Sequence, residues 1–220
     1  RDRYNAFLLY EDEDSRQSID SLPAAASAPG NDTQALQNFI EFVKKQRVIP
    51  DLHDFTAPKE ALQAWLSDHG DALVQQYDAV LADNHAVDFT DLITGAYDFL
   101  TDDACCQRWR DRFRFIAVDE MQDTSEVEYA VISRLFPGRN VLLCGDYFQT
   151  IYEWRGSYPE YILEQFRKTY HPREITFTTN YRATQLLLKA AESCLNHVWG
   201  QVTVHHIFPQ PGQAAAAVPG

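Results

Sequence analysis

Two short apolar runs, each ending in an acidic residue, constrain the fold of this chain most strongly. The first, "FIAVDE", occupies residues 115–120, and the second, "NVLLCGD", occupies residues 140–146. Neither run alternates with polar residues, which is typical of strands buried on both faces of a parallel sheet. The intervening segment has a helical apolar stripe, and Ser125 with Glu128 has capping-box spacing. This strand–helix–strand order predicts an α/β fold with a parallel sheet.

The sequence before these runs predicts a mainly helical half. Residues 22–32 are rich in Ala, Pro and Gly and predict a flexible link. Residues 31–50 predict an amphipathic helix whose basic last turn, with Lys44, suits the helix dipole. Further helices are predicted over 58–70, 71–86 and, with Asp88 near its start, 87–100.

The sequence after the two runs continues the alternation. Residues 159–170 and 183–199 predict helices, and residues 174–179, "EITFTT", predict a third strand between them. The segment 211–220 is of low complexity and is predicted to be disordered.

Composition limits the functions that this chain can have. The 220 residues are 45% apolar, enough for a sizeable core, and contain neither an 18-residue apolar run nor a signal-peptide pattern. A net charge of −13 argues against a broad nucleic-acid-binding surface, so any such contact must be local. The four cysteines lack the spacing of a zinc site, and Cys144 is predicted to be a reduced core residue. A cytoplasmic protein is therefore expected. The absence of an initiator Met suggests a segment of a longer chain.

The acids that follow the predicted strands are candidates for a metal–phosphate site. Asp119 and Glu120 end the first run, and Asp146 ends the second. Ligands of open α/β sheets bind at the carboxyl ends of the strands, and Mg²⁺ prefers carboxylate oxygens. The alternative is that Asp119 or Asp123 only caps the next helix.

Two further segments carry candidate binding residues. "GDYFQTIYEWRGS" places Gln149 near the same sheet edge and adds Tyr152, Trp154 and Arg155, a combination typical of stacking on unpaired bases. The alternative is that these aromatic residues belong to the core or to an interface. "TTNYRAT" places Arg182 between a strand and a helix, where it could reach a phosphate or pair with a helix acid.

Together these segments resemble the UvrD/Rep family of superfamily 1 DNA helicases. "VDEMQDTS" is similar to motif II of that family, "LLCGDYFQTIYEWRGS" to motif III, and "TTNYRAT" to motif IV. "AVDFTDL", residues 86–92, resembles the segment in which the family's chain returns from an inserted helical subdomain. The resemblance is strong over residues 86–190 and weaker over 1–85.

The resemblance implies roles in ATP hydrolysis for four residues. Asp119 would hold the Mg²⁺ of MgATP, and Glu120 would orient and deprotonate the attacking water. Gln149 would sense the γ-phosphate and couple it to DNA. Arg182 would stabilise charge on the γ-phosphate as an arginine finger.

The resemblance also implies contacts to DNA. Tyr152, Trp154 and Arg155 would stack on or contact single-stranded DNA. Gln122 and Asp123 would support the site from behind and link its nucleotide and DNA surfaces. The cofactors implied are ATP and Mg²⁺, and the partner implied is single-stranded or duplex DNA.

The implied domain organisation is a partial RecA-like motor with a helical insertion. Residues 1–85 would form the insertion, 86–170 the C-terminal half of the first RecA-like domain, and 171–210 the start of the second. The phosphate-binding loop G-x-x-x-x-G-K-[ST] is absent, since none of the nine glycines precedes a lysine, and the later family motifs are also absent.

The function implied is that of the central part of an ATP-dependent 3′→5′ DNA helicase or translocase, with DNA repair as a typical setting. This segment alone is expected to be inactive. Two alternatives remain: the helicase segment of a nuclease-fused recombination subunit, and a non-catalytic module that keeps the fold and binds a partner.

Overall fold

The computed structural model describes residues 7–52, 55–146, 149–150, 157–177 and 179–199. The chain divides into two units, residues 1–169 and residues 170–220. The described strands form two separate pairs, each parallel. Within the described part of the chain, no helix combines the length and apolar character needed to cross a membrane.

The described elements include eight α-helices and four short strands. The first seven, in chain order, are β1 Leu8–Tyr10, α1 Asp12–Asp20, α2 Thr33–Gln46, α3 Glu60–Asp83, β2 Ala86–Asp88, α4 Phe89–Thr101 and α5 Asp103–Arg110. The next five are β3 Phe115–Val118, α6 Glu126–Ser133, β4 Asn140–Leu143, α7 Pro159–Tyr170 and α8 Gln185–Trp199. The structure is therefore a mixed helix and strand fold with small parallel sheets.

The helical half packs around one apolar cluster. Helix α2 contributes Leu36 and Ile40, which confirms the predicted amphipathic helix. The two helices predicted over 58–70 and 71–86 are instead one helix, α3. Gly70 lies mid-helix because the Phe39 ring packs against it, with ring carbons 2.5 Å from the place that a Cβ would take. The glycine was thus a site of close approach and not a helix end.

The segment 22–32 is not a flexible link. Leu22, Ala25 and Ala28 are buried in the same apolar cluster, and a 3₁₀ turn covers Ala25–Ser27. Small apolar side chains let this segment lie close against the helices, so the composition that suggested flexibility instead permits packing.

Lys44 lies in the last turn of α2, as predicted, and makes buried ion pairs there. Its side chain is fully buried, and its Nζ lies 2.8 Å from Asp88 Oδ2, 2.8 Å from Asp91 Oδ1 and 3.5 Å from Asp78 Oδ1. Asp88, which the sequence places near the start of this helix, caps α4 and forms a capping box with Asp91. Lys44 with these three carboxylates is named the carboxylate junction below. It joins α2, α3 and the start of α4.

Strands β3 and β4 form the predicted parallel pair, with Phe115 opposite Asn140 and Val118 opposite Leu143. The prediction that both strands are buried on both faces is wrong. Phe115 is 75% exposed and Leu142 is 59% exposed, because none of the described residues covers this face of the pair. Ala117 and Asn140 on the same face are also exposed, whereas the alternate residues of each strand are partly buried.

The predicted third strand at 174–179 is not found among the described residues. Residues 174–177 adopt no regular structure, and Ile175 and Phe177 are 68% and 92% exposed. Helix α8, predicted over 183–199, is present in the second unit. The tail predicted to be disordered, 211–220, lies outside the described residues.

Candidate functional site

The segments that follow β3 and β4 lie side by side at the carboxyl ends of the two strands. The Cys144 N–H donates to the Val118 carbonyl (2.8 Å), and the Met121 N–H donates to the Cys144 carbonyl (3.0 Å). These bonds extend the strand pairing past its last register pair and hold the two acidic segments together. Asp119 and Glu120 are both exposed there.

Asp119 faces solvent and caps no helix. Its Oδ1 accepts the Glu120 N–H (3.0 Å) and the Cys144 thiol (3.1 Å). Ser125 caps α6, and its Oγ accepts the Glu128 N–H while the Glu128 carboxylate accepts the Ser125 N–H (3.3 and 2.7 Å). The predicted capping box is therefore confirmed, and the helix-cap interpretation of Asp119 is wrong.

Asp123 also caps no helix. Its backbone carbonyl accepts the Ser157 hydroxyl (3.0 Å). Its Oδ1 is buried and has no hydrogen-bond partner among the residues that the structure describes. The helix-cap interpretation is thus wrong for both acids.

Cys144 is not the core residue that the sequence predicted. It directly follows β4, is half-buried, and directs its thiol at Asp119. That hydrogen bond, with burial adding to it, raises the pKa of the thiol, because a carboxylate that accepts the proton favours the neutral form. Cys144 therefore acts as a donor that helps to orient the Asp119 carboxylate.

Glu120 has a strained backbone. Its φ of 51° and ψ of 40° lie in the left-handed region, which costs a residue with a Cβ about 1–2 kcal/mol. The surrounding hydrogen bonds over-determine this conformation, and such strain clusters at functional sites. The turn directs the Glu120 side chain to Gln122, whose Nε2 donates to Glu120 Oε2 at 2.6 Å.

Gln122 is buried and uses both ends of its amide. While its Nε2 holds Glu120, its Oε1 accepts the Asp146 N–H at 3.0 Å. Gly145 makes this approach possible, since a Cβ there would overlap Gln122 Oε1 and lie 2.8 Å from Met121 Cγ. Sequence reasoning missed Gly145, although its place between a strand and an acid is a signal for close backbone approach.

Gln149 extends the chain of hydrogen bonds. Its Nε2 donates to Asp146 Oδ2 at 2.9 Å, and its side chain is exposed. A continuous path therefore runs from Glu120 through Gln122 and Asp146 to Gln149. The structure thus brings together three of the predicted site residues on two neighbouring segments.

The other residues predicted to contact the γ-phosphate or DNA are Arg182, Tyr152, Trp154 and Arg155. Arg182 belongs to the second unit, is exposed, and its backbone N–H donates to Asn180 Oδ1 at 2.9 Å. Tyr152, Trp154 and Arg155 lie outside the described residues. Their assignment to DNA stays a prediction.

The donor set at Asp119 fits a hydrated magnesium ion. Among the described residues, no three His, Cys, Asp or Glu side chains are arranged to hold an ion. Mg²⁺ keeps several waters and needs only one or two carboxylates alongside phosphate oxygens. Asp119, an exposed carboxylate with one oxygen already oriented by two donors, meets that requirement.

Comparison with known proteins identifies the family. Residues 2–171 match the model of the UvrD/REP helicase N-terminal domain, and the chain belongs to this family. It is 36% identical over 124 residues to the ATP-dependent DNA helicase PcrA of Leuconostoc citreum, a match that covers 55% of this chain and 16% of that protein.

Two other relatives agree with this assignment. A probable DNA helicase II homolog of Mycoplasma capricolum is 29% identical over 199 residues, which is 87% of this chain and 27% of that protein. DNA helicase II of Haemophilus influenzae is 32% identical over 148 residues, which is 66% of this chain and 19% of that protein. The chain thus spans between 16% and 27% of the length of these three relatives.

Proposed function

We propose that this chain forms the central part of the motor of an ATP-dependent, 3′→5′ DNA helicase of the UvrD/Rep type. The observation that carries the proposal is the hydrogen-bonded path from Glu120 through Gln122 and Asp146 to Gln149. It connects a candidate base to a candidate phosphate sensor at the sheet edge where α/β proteins bind ligands. Family membership and the names of the ATP-dependent relatives support the same function.

The proposed chemistry is hydrolysis of the γ-phosphate of MgATP. Bound Mg²⁺ would neutralise charge that develops on the phosphates. Asp119 would hold the ion, chiefly through its waters. Glu120 would orient the attacking water and take its proton, and Gln122 would fix the direction of the Glu120 carboxylate.

The remaining steps couple hydrolysis to DNA. Gln149 would sense the γ-phosphate, and Arg182 would stabilise its charge in the transition state. Tyr152, Trp154 and Arg155 would contact single-stranded DNA by stacking and charge. Movement along the strand would follow from coupling these contacts to the nucleotide.

The proposed organisation follows the family. Residues 1–85 would form the helical insertion, 86–170 half of the first RecA-like domain, and 171–210 the start of the second. The protein would act on DNA in the cytoplasm. A non-catalytic module with this fold would bind a partner without turnover, and the experiment below separates the two.

Substitution of Glu120 in the complete motor that contains these residues tests the proposal. Glu120→Gln keeps the shape and the Gln122 contact but cannot take a proton, so nucleotide binding is retained while turnover falls roughly 10²–10⁴-fold. Glu164→Gln is the matched control, because Glu164 is an exposed carboxylate on α7. Turnover of the Glu120 variant within about tenfold of the unsubstituted protein would contradict the assigned role.

A further inference from the structure

A basic and aromatic segment lies at the opposite end of β3 from the candidate site. Residues 108–115, "RWRDRFRF", hold four arginines and one acid, whereas the whole chain has 32 acids and 19 Lys and Arg. The segment runs from the last turn of α5 to the start of β3. Its local charge is therefore opposite in sign to that of the molecule.

The positive charge of this segment is not compensated within the described structure. Arg108, Arg112 and Arg114 are exposed, and no described acid lies within ion-pair distance of them. The single acid of the segment, Asp111, is already paired with Arg139 from the turn before β4, at 2.9 Å. Three guanidinium groups thus face solvent.

Two exposed aromatic rings lie among these arginines. Trp109 and Phe113 are 37% and 38% exposed, and their rings are nearly parallel, with centroids 6.4 Å apart. The Arg112 guanidinium lies 4.9 Å from the centre of the Trp109 ring. Both rings are therefore partly exposed to solvent beside the arginines.

The simplest explanation for the arginines of this segment is that basic residues are favourable near the C-terminus of a helix. It accounts for Arg108 and for Arg110, whose Nε donates to the Arg134 carbonyl at 2.7 Å. It does not account for Arg112 and Arg114, which follow the helix, or for the paired exposed rings.

We propose that Arg108, Trp109, Arg112, Phe113 and Arg114, the arginine–aromatic patch, bind single-stranded nucleic acid. Guanidinium groups pair with phosphates, and exposed aromatic rings offer surfaces on which unpaired bases stack, so the patch combines both requirements. An acidic peptide would pair with the guanidinium groups but would have no bases to stack on the aromatic rings. The patch and the acids that follow β3 are separated by the four-residue strand, about 13 Å. It is therefore separate from the candidate nucleotide site.

The test measures binding of a fluorescent oligothymidine of about 20 nucleotides by anisotropy, from about 50 to 200 mM salt. Changing Arg108, Arg112 and Arg114 together to Gln should weaken binding and reduce the salt slope by about 2, since each phosphate contact contributes roughly 0.7. The matched control changes Lys59, Lys168 and Arg173, all exposed, to Gln with the same loss of charge. An equal effect in patch and control variants would overturn the proposal.

Trp109 tests the stacking step. Trp109→Ala should weaken binding roughly 5- to 150-fold, and Trp109→Phe should restore most of the loss. Thermal denaturation of each variant verifies that the fold is kept, and the exposed arginine substitutions remain informative if Trp109→Ala unfolds. Equal binding of polyglutamate and oligothymidine, insensitive to Trp109→Ala in a folded protein, would overturn the proposal in favour of an acidic peptide.

Separate variants distinguish failure of the patch proposal from failure of the proposed helicase function. Trp154 belongs to the DNA contacts of the proposed motor and not to the patch. An unchanged affinity in Trp154→Ala would contradict those motor contacts and leave the patch standing. An unchanged affinity and salt slope in the triple arginine variant would overturn the patch and leave the motor contacts standing.

Discussion

The Gln122 amide connects the two segments of the site because each of its ends has one partner. Its N–H group holds the Glu120 carboxylate, and its oxygen holds the Asp146 N–H. A buried amide left without one partner loses about 1–3 kcal/mol, which makes the orientation of this side chain unique. The strain at Glu120 is then maintained by contacts that form only when both segments are in place.

Gly145 and Gln122 should be energetically coupled. Gly145→Ala forces its methyl group against Gln122 Oε1 and should lower the free energy of unfolding by about 1–3 kcal/mol. Gln122→Ala removes that oxygen, so the double variant should be less destabilised than the sum by about 1 kcal/mol. Chemical denaturation of the four proteins measures the coupling.

Gly95→Ala is the control for that cycle. Gly95 lies in α4 with no atom within 4 Å of an added Cβ, so alanine should stabilise the protein by up to about 1 kcal/mol. Strict additivity between Gly145→Ala and Gln122→Ala would contradict the contact.

At the residue scale, the sequence predicts which side chains of the candidate site lie close together, but not the hydrogen bonds that they make. Asp119, Glu120 and Gln149 were expected at one sheet edge because parallel strands end together. The left-handed turn at Glu120 and the thiol of Cys144 beside Asp119 depend on register between segments far apart in the chain. Apolar periodicity carries no information about such register, so Cys144 was placed in the core.

At the scale of secondary-structure elements, the carboxylate junction connects the helices of the helical half. Lys44 comes from α2, and its partner Asp88 lies 44 residues further along the chain, so only tertiary structure could reveal the contact. The Tyr77 ring, 4.9 Å from Lys44 Nζ, closes the junction from α3, and its hydroxyl donates to Ser15 on α1. Helices α2, α3 and α4 therefore meet at one buried charge, and Tyr77 links α1 to it.

Removal of the Lys44 charge should be costly. Lys44→Met leaves Asp88 and Asp91 without their buried cation, and loss of one partner of a buried pair costs about 3–5 kcal/mol. Lys45→Met is the control, because its ion pair with Glu41 is partly exposed and contributes about 0–1 kcal/mol. Urea denaturation at neutral pH compares them. Similar effects in both variants would show that the junction does not stabilise the fold.

The contribution of Lys44 should also depend on pH in a defined direction. Burial by itself lowers the pKa of Lys44, but the charges and hydrogen bonds of Asp88 and Asp91 outweigh it and raise the pKa above its ordinary value. A raised folded-state pKa gives stability that is complete below the unfolded pKa and lost as pH rises through the folded value. The stability difference between the unsubstituted protein and Lys44→Met should therefore stay constant from about pH 7 to 10 and decline above.

Elements were predicted best where a local signal decides their ends. Helix α6 begins after Ser125, as its capping box predicts, and α4 begins at Phe89, next to the Asp88 that the sequence places near its start. Prediction failed where packing decides: at Gly70, which interrupts no helix, and at 174–177, whose apolar pattern finds no partner strand among the described residues.

At the scale of the whole molecule, the negative net charge and the absence of a phosphate-binding loop from the sequence both oppose nucleotide binding. The chain carries a net charge of −13, and its candidate metal ligand and base are both exposed carboxylates. No glycine precedes a lysine, so the sequence lacks the loop whose N–H groups and lysine hold the β- and γ-phosphates. The negative electrostatic field of the chain therefore repels an anionic nucleotide. The sequence has no phosphate-binding loop to offset that repulsion.

The 220-residue polypeptide by itself should therefore not hydrolyse ATP, although it carries the residues proposed for the metal, the base and the phosphate sensor. Phosphoryl transfer depends on positioning and charge stabilisation by parts that act as a set, and loss of an arginine finger alone costs about 10³–10⁵ in rate. Calorimetric titration with MgATP and a phosphate-release assay on the purified chain test this expectation. Saturable binding tighter than about 100 μM, with turnover abolished by Glu120→Gln, would show that another segment of this chain replaces the phosphate loop.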